Sequence, residues 1–278
     1  MSHKKQELFL VPFDFTQSTK DALHYAIHLA KLIGGKVMML NLVKHQNDMV
    51  NAKVKMKWEV DHLPEDEQEL VTYKAMPGNI FDDLDKVGHL VDATYIVMGT
   101  HGATGLQRIF GSNTLKVVSN SRTPFIIIQE GQTKDHIESI VMPFSFDRES
   151  LQVTQVAALI AHDFGATIHL VGYRDEDEHL FRDAITNEAI VRKFLTEHGI
   201  KHDTKILQGE KGYEEELLDY AQSVNADLIA AAYFHKGLRT YLHSFVQAMI
   251  ENDKKIPVLT INAQEFMTLN SRFSFITT

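Results

Sequence analysis

The sequence predicts an α/β protein made of two tandem, doubly wound domains, each built around a five-stranded parallel sheet. Three observations carry this reading. Short apolar runs alternate with amphipathic stretches, the pattern of a parallel sheet covered by helices on both faces. The pattern occurs twice, in the same order. The 278 residues are enough for two domains of ordinary size.

The repeat is visible in the residues. Leu8-Phe9-Leu10-Val11-Pro12-Phe13-Asp14-Phe15 is echoed by Ile140-Val141-Met142-Pro143-Phe144-Ser145-Phe146. Gly35 is echoed by Gly165, Gly78 by Gly209, Asp92-Ala93 by Asn225-Ala226, and Thr123-Pro124 by Ile256-Pro257, at offsets of 130 to 133 residues. The expected domains are therefore 1–131 and 137–262, joined by the polar stretch Glu130 to Asp135 and followed by a tail, 263–278.

In the first copy strands are expected near 7–13, 36–43, 69–75, 94–98 and 125–129, and helices near 18–33, 79–91 and 112–120. Ser18 can cap the first helix. Ala22, Ala26, Leu29 and Ala30 give it an apolar face, and Gly34-Gly35 end it. Residues 44–63 stay open between two readings. Val54, Met56, Trp58 and Val60 alternate with charged residues as in a strand, whereas Val50, Val54 and Trp58 also form an i, i+4 helical stripe. In the second copy the matching region, about 176–197, reads as a helix with Leu180, Phe181, Ala184, Ile185, Ala189, Ile190 and Phe194 on one side.

Composition narrows the function classes. A hydrophobic content of 44% with 23% charged residues is that of a globular chain. A net charge of −9 argues against nucleic-acid or anionic-membrane binding, and no stretch nears the roughly 20 apolar residues that span a bilayer. The absence of cysteine removes disulfide and thiolate chemistry and is compatible with a reducing compartment; the expected location is the cytoplasm.

The strongest motif is Met98-Gly99-Thr100-His101-Gly102, followed by Gly111-Ser112-Asn113-Thr114. It lies between an apolar strand and a helix, where glycines let backbone N–H groups approach phosphate and a helix N-terminus favours an anion. Ligands of such sheets bind beyond the carboxyl ends of the strands, where Asp14, Leu42 and this loop converge. Neither a Walker A sequence nor a dinucleotide Gly-x-Gly-x-x-Gly is present.

Together with Val11-Pro12-Phe13-Asp14-Phe15-Thr16, these motifs resemble the universal stress protein family, over roughly residues 6–262 and in tandem form. The family's loop has nine residues between its second and third glycines; eight separate Gly102 from Gly111 here. The resemblance implies the adenine nucleotide alpha-hydrolase-like fold and a stress-response role. It implies an ATP site, with Mg²⁺, in the first copy. By the resemblance Asp14 contacts adenosine and the backbone of Leu42 contacts adenine. Met98, Gly99, Gly102, Gly111, Ser112, Asn113 and Thr114 form the ribose and phosphate loop. It also implies pairing of the fifth strands, here 125–128 with 258–261, giving an internal pseudo-dimer able to dimerise further. No residue is expected to be catalytic or to bind metal, and slow ATP hydrolysis is the most expected. The alternatives are an interaction scaffold whose loop is only structural, and a binder of another ligand in the second copy.

The second copy departs from the motif. Ala232 and His235 stand at the positions of Gly99 and Gly102, Ser145 at that of Asp14, and Ser244-Phe245 at those of Gly111-Ser112. ATP binding in the family manner is not expected there; any other ligand would meet Tyr233, Phe234, His235 and Ser145. His24 and His28 share a helix face and are read as solvated. Asp175 to Glu178 and Glu214 to Glu216 are read as charged first turns of helices. The tail, with Phe266, Met267, Leu269, Phe273, Phe275 and Ile276, is read as a packing strap or a partner-binding segment.

Overall fold

The computed structural model describes residues 6–100, 111–145, 151–174, 176–209, 211–233 and 240–263, with backbone alone for 111–113 and 240–244. The chain divides into two units, Met1–Asp135 and His136–Thr278. Unit 1 runs β1 (Leu8–Pro12), α1 (Gln17–Ile33), β2 (Lys36–Val43), α2 (Met49–Asp61), α3 (Glu65–Gln68), β3 (Val71–Pro77), α4 (Ile80–Leu90), β4 (Tyr95–Thr100), α5 (Gly111–Ser119) and β5 (Phe125–Gln129). Unit 2 runs β6 (Ser139–Pro143), α6 (Gln152–Phe164), β7 (Thr167–Tyr173), α7 (Glu178–Glu197), β8 (His202–Leu207), α8 (Tyr213–Ser223), β9 (Leu228–Tyr233), α9 (Thr240–Ile250) and β10 (Val258–Asn262).

Within unit 1 the strand order is β3-β2-β1-β4-β5, and within unit 2 it is β8-β7-β6-β9-β10. The described pairings are all parallel. The direction of winding reverses between β1 and β4, and between β6 and β9. Such a reversal splays the connections apart and leaves a crevice at the carboxyl ends of the strands. The strands at the reversal are apolar on both faces: Phe9, Leu10, Val11, Ile96 and Val97 are all fully buried. Phe9 stacks on Tyr95 across the junction, ring centroids 5.5 Å apart.

The helix ends obey local chemistry, with one correction. Gly34 adopts the left-handed conformation at φ 70°, and its N–H donates to the Ala30 carbonyl, closing α1. The N-cap of α1 is Thr16, not Ser18, which is buried inside the first turn. The Thr16 hydroxyl turns back to Asp14 instead of capping the helix. Helix α4 is closed by a reciprocal pair: Phe81 N–H donates to Asn79 Oδ1, and Asn79 N–H donates to Asp83 Oδ2, both at 2.9 Å. Asp177 caps α7 by accepting from the N–H groups of His179 and Leu180. Glu216, in the first turn of α8, accepts from Gly209 and Lys211 N–H.

Residues 49–61 are helical, which explains both patterns in their sequence. Positions two apart on a helix lie 200° apart, so two i, i+4 stripes interleave and imitate strand alternation. Ala52, Met56 and Val60 are buried, whereas Val50, Val54 and Trp58 are 72%, 64% and 55% exposed. The apolar stripe read in the sequence therefore faces outward. Helix α7 needs a similar correction. Its buried face is Ala184, Asn187, Glu188, Val191 and Leu195, while Ile185 and Ile190 lie outward. Polar Glu188 is tolerated because Thr204 Oγ1 donates to its Oε1 at 2.8 Å and Arg192 Nε lies 3.3 Å from the same oxygen.

Met56→Ala should cost about 2–5 kcal/mol in urea unfolding, as a large-to-small core change. Val54→Ala, two residues away, should fall within about 0.5 kcal/mol of the parent. The Asn79 N–H, and then the Lys86 ammonium, hold the Asp83 carboxyl below its ordinary value. A lowered carboxyl stabilises the fold above its unfolded pKa, and this contribution is lost as pH falls through the folded value. Asp83→Asn should therefore unfold at lower urea than the parent near neutral pH, with the gap closing on acidification.

Candidate functional site

The carboxyl end of β1 builds one wall of the unit 1 crevice. Phe15 takes a left-handed conformation, φ 72°, which turns the chain out of the strand. Asp14 Oδ1 gathers three donors at that turn: Thr16 N–H at 3.1 Å, Thr16 Oγ1 at 2.6 Å and Thr19 Oγ1 at 3.0 Å. Asp14 is exposed, and its Oδ2 is bonded to no described residue. The side chain is thus held by one oxygen and offers the other as an acceptor.

Strand β2 builds the second wall. Phe13 N–H donates to Leu40 O at 2.8 Å, so residue 40 turns its backbone groups toward β1; Gly78 N–H donates to Val43 O at 3.0 Å, so residue 43 turns toward β3. By the two-residue period of a strand, the N–H and C=O of Leu42 face β1, beyond the point where β1 has ended. No described residue accepts from the Leu42 N–H. Leu42 thereby presents a donor and an acceptor at the crevice. Nearby, buried Asn41 donates from Nδ2 to Phe13 O at 2.6 Å.

Strand β4 and α5 supply the third side. Because α5 links β4 to the parallel strand β5, its N-terminus lies at the carboxyl edge of the sheet. The N–H groups of its first turn, from Gly111, concentrate partial positive charge there. Met98 is buried in β4 and Thr114 in α5; neither side chain is open to solvent. Gly102 lies outside the described residues. Of the nine residues read from the sequence, Asp14 and Leu42 present groups to the crevice, and Gly111, Ser112 and Asn113 bring backbone.

Gly99 has a different reason to be glycine. A Cβ at this position would lie 2.0 Å from Ser18 O and 2.5 Å from Ser18 C. The first turn of α1 is pressed against β4 there, so the missing side chain serves helix–sheet packing. The sequence reading missed Asn41 and the Thr16–Thr19 pair. The available signal was one polar residue inside the apolar run Val37 to Val43.

The same positions in unit 2 are filled differently. Ser145 O accepts from Asn187 Nδ2 at 2.9 Å. Ala232 and Tyr233 are buried, and burial pushes the Tyr233 hydroxyl above its ordinary pKa. Phe234 and His235 lie outside the described residues. Tyr173, in register with Leu42, packs against Tyr213, ring centroids 5.1 Å apart; Tyr213 stacks on Phe245 at 5.3 Å. Phe245, which the sequence offset sets against Ser112, lies in the second turn of α9. At the end of β7 the Tyr173 side chain stands at the position of Leu42.

Gly99→Ala should destabilise unit 1 by about 3 kcal/mol or more, with ligand or without, because backbone cannot give way to a new methyl group. Thermal unfolding checks this; an unchanged midpoint would refute the packing account.

A family model described as the Universal stress protein family matches residues 8–129. Among solved structures, the chain is similar to a universal stress protein from Archaeoglobus fulgidus DSM 4304, with 17% identity over 93% of this chain and 99% of that one, TM-score 0.70. It is also similar to a functionally unknown protein from Pseudomonas aeruginosa PAO1 (13% identity, 95% of each chain, TM-score 0.60). A candidate universal stress protein from Pseudomonas aeruginosa UCBPP-PA14 gives 14% identity, 95% of this chain, 96% of that one and TM-score 0.61. None of the curated proteins matches the sequence. At these identities the structural likeness speaks for fold. Residues 8–129 thus match the universal stress protein family, and the second unit repeats the fold of the first.

Proposed function

We propose that unit 1 is a regulatory binding module for ATP or a related adenine nucleotide, with Mg²⁺ accompanying the phosphates. The observation that carries this is the convergence of three kinds of group on one crevice. Asp14 Oδ2 is an acceptor suited to a ribose hydroxyl. The backbone of Leu42 offers a donor–acceptor pair suited to the edge of a base. The first turn of α5 offers N–H groups suited to phosphate oxygens. Each element matches a different part of a nucleotide, in the order base, sugar, phosphate. Gly102 and the Ser112 hydroxyl belong to the phosphate end of this reading.

Unit 2 takes no part in it. The ring of Tyr173, the counterpart of Leu42, packs against Tyr213 at the end of β7, where the base would lie on this reading. We therefore infer one nucleotide per chain.

Calorimetric titration of ATP–Mg²⁺ into the full chain tests the reading. One site per chain is expected, and Asp14→Ala should weaken it about tenfold or more, the loss of a charge-assisted hydrogen bond. No heat at several temperatures, with no nucleotide co-purifying by mass spectrometry, would overturn it in favour of an interaction scaffold. Two equal sites would overturn the assignment to unit 1.

A further inference from the structure

Helix α2 carries apolar residues on two opposite sides, and only one side is covered. Ala52, Met56 and Val60 are buried, and Lys20 Nζ on α1 reaches Glu59 Oε1 at 2.8 Å, so the helix is fastened to its unit by its inner face. Val50, Val54 and Trp58 lie outward, each more than half exposed. Spaced four apart, they form one stripe about 12 Å long. Single apolar residues on a surface are ordinary, whereas a continuous row on one helix face is the form that helix recognition takes.

Trp58 is held in place within this row. The His62 ring lies against the indole, centroids 3.9 Å apart, and His62 Nδ1 is 2.7 Å from the Trp58 carbonyl. A carbonyl only accepts, so Nδ1 carries the proton and the imidazole is pinned one turn beyond Trp58. The indole therefore loses little freedom when a partner covers it, the property of an interface anchor. Unit 2 has no such row among its described residues. On its counterpart helix α7, Ile185 and Ile190 are exposed, but they are five positions apart and fall on different sides of the helix. The fold does not require the stripe.

The bordering charges select the occupant. Lys53 and Lys57 run along one border of the stripe, and Lys55 stands on the other. Lys57 is shared with Asp61 on the same helix, and Lys55 lies over the Phe15 ring, 5.6 Å from its centroid; no described residue pairs with Lys53. A second copy of this chain does not suit the face. In an antiparallel twofold pair the border of Lys53 and Lys57 meets itself, and in a parallel pair it meets Lys55; both set ammonium against ammonium. An anionic bilayer does not suit it either. A bilayer is a broad surface, the chain carries a net charge of −9, and the exposed carboxylates of Asp61, Glu65, Asp66 and Glu69 follow soon after Trp58. A single helix need touch only the stripe and its lysines.

We propose that the α2 stripe is a docking surface for an acidic amphipathic helix of a partner protein, its apolar residues seated on Val50, Val54 and Trp58 and its carboxylates beside Lys53 and Lys57. Trp58 is the only tryptophan of the chain, so its fluorescence reports on the stripe alone. The probe is a synthetic, tryptophan-free helix of about 20 residues with leucines in an i, i+4 row and glutamate on both borders, beside a companion with lysine for glutamate. In the free chain Trp58 should emit as a solvent-exposed indole; emission already shifted to the blue would show the stripe covered by its own chain and overturn the proposal. The acidic peptide should shift the emission to the blue and bind about tenfold or more tighter than the basic one, with the gap closing as salt rises. Val54→Glu should abolish binding with the unfolding midpoint unchanged, and the double variant Lys53→Glu, Lys57→Glu should reverse the preference. Equal binding of the two peptides, binding of neither, or a preference that survives the charge reversal would overturn the proposal. So would a blue shift that grows with chain concentration alone, which would assign the stripe to a second copy, or tighter binding to vesicles of anionic lipid than to the acidic peptide.

Discussion

The structure of unit 1 depends on how abruptly the chain leaves β1. Four residues separate the end of that strand from the start of α1, and one of them, Phe15, must take a left-handed backbone. That conformation costs a side-chain-bearing residue about 1–2 kcal/mol. Three hydrogen bonds into Asp14 Oδ1 offset it, each worth roughly 1 kcal/mol net at an exposed turn. The Phe13–Phe15 edge contact, centroids 5.3 Å apart, adds to the balance. The tightness of the turn then dictates how the next helix packs. Helix α1 cannot stand off from the sheet, so its first turn lies on β4, and β4 must carry glycine where Ser18 crosses it. Asp14 and Gly99 therefore answer to the same turn, one by binding it and the other by making room for it.

The two units differ at all of these positions. Where unit 2 has Ser145 for Asp14, it also has Ala232 for Gly99, Gly172 for Asn41, Tyr173 for Leu42 and Phe245 for Ser112. Tyr173 and Phe245 bring bulk, and Gly172 makes room for the Phe144 ring. An open crevice exposes backbone polar groups and buries little apolar surface. An aromatic stack at the same place buries area and needs no ligand to complete it.

The fold was legible in the sequence because parallel strands buried on both faces must be apolar throughout, and because the repeat doubled every signal. Strand and helix positions in unit 1 track those runs closely. The faces stayed hidden. On α2, apolar residues occupy two opposite sides, so a periodicity argument finds a stripe but not which one is covered. On α7, Glu188 and Asn187 are inside because Thr204 and the Ser145 carbonyl meet them, partners that lie on β8 and at the end of β6 and leave no local trace. The candidate site was partly legible. Asp14 and Leu42 lie where strand ends place them. Gly99 was read as a phosphate-loop glycine, whereas the contact that requires it is with Ser18, a residue some eighty positions earlier in the chain.

On the proposed reading, the described groups of the crevice hold a nucleotide by hydrogen bonds and helix charge. Hydrolysis of a phosphoanhydride needs a positioned water and a group that orients it, with charge stabilised in the transition state. Asp14 stands at the sugar end, and one of its oxygens is already spent on three donors. The first turn of α5 offers N–H groups that bind ground state and transition state alike, which lowers the dissociation constant without accelerating chemistry. A ligand spanning Asp14, Leu42 and α5 would instead tie together the ends of β1, β2 and α5. At a hundred times its dissociation constant it would add about 2.7 kcal/mol to the stability of the liganded fold, a sizeable part of what a domain of this size has to spare. Occupancy, set by nucleotide concentration, would then be read by any partner that distinguishes the closed crevice from the open one.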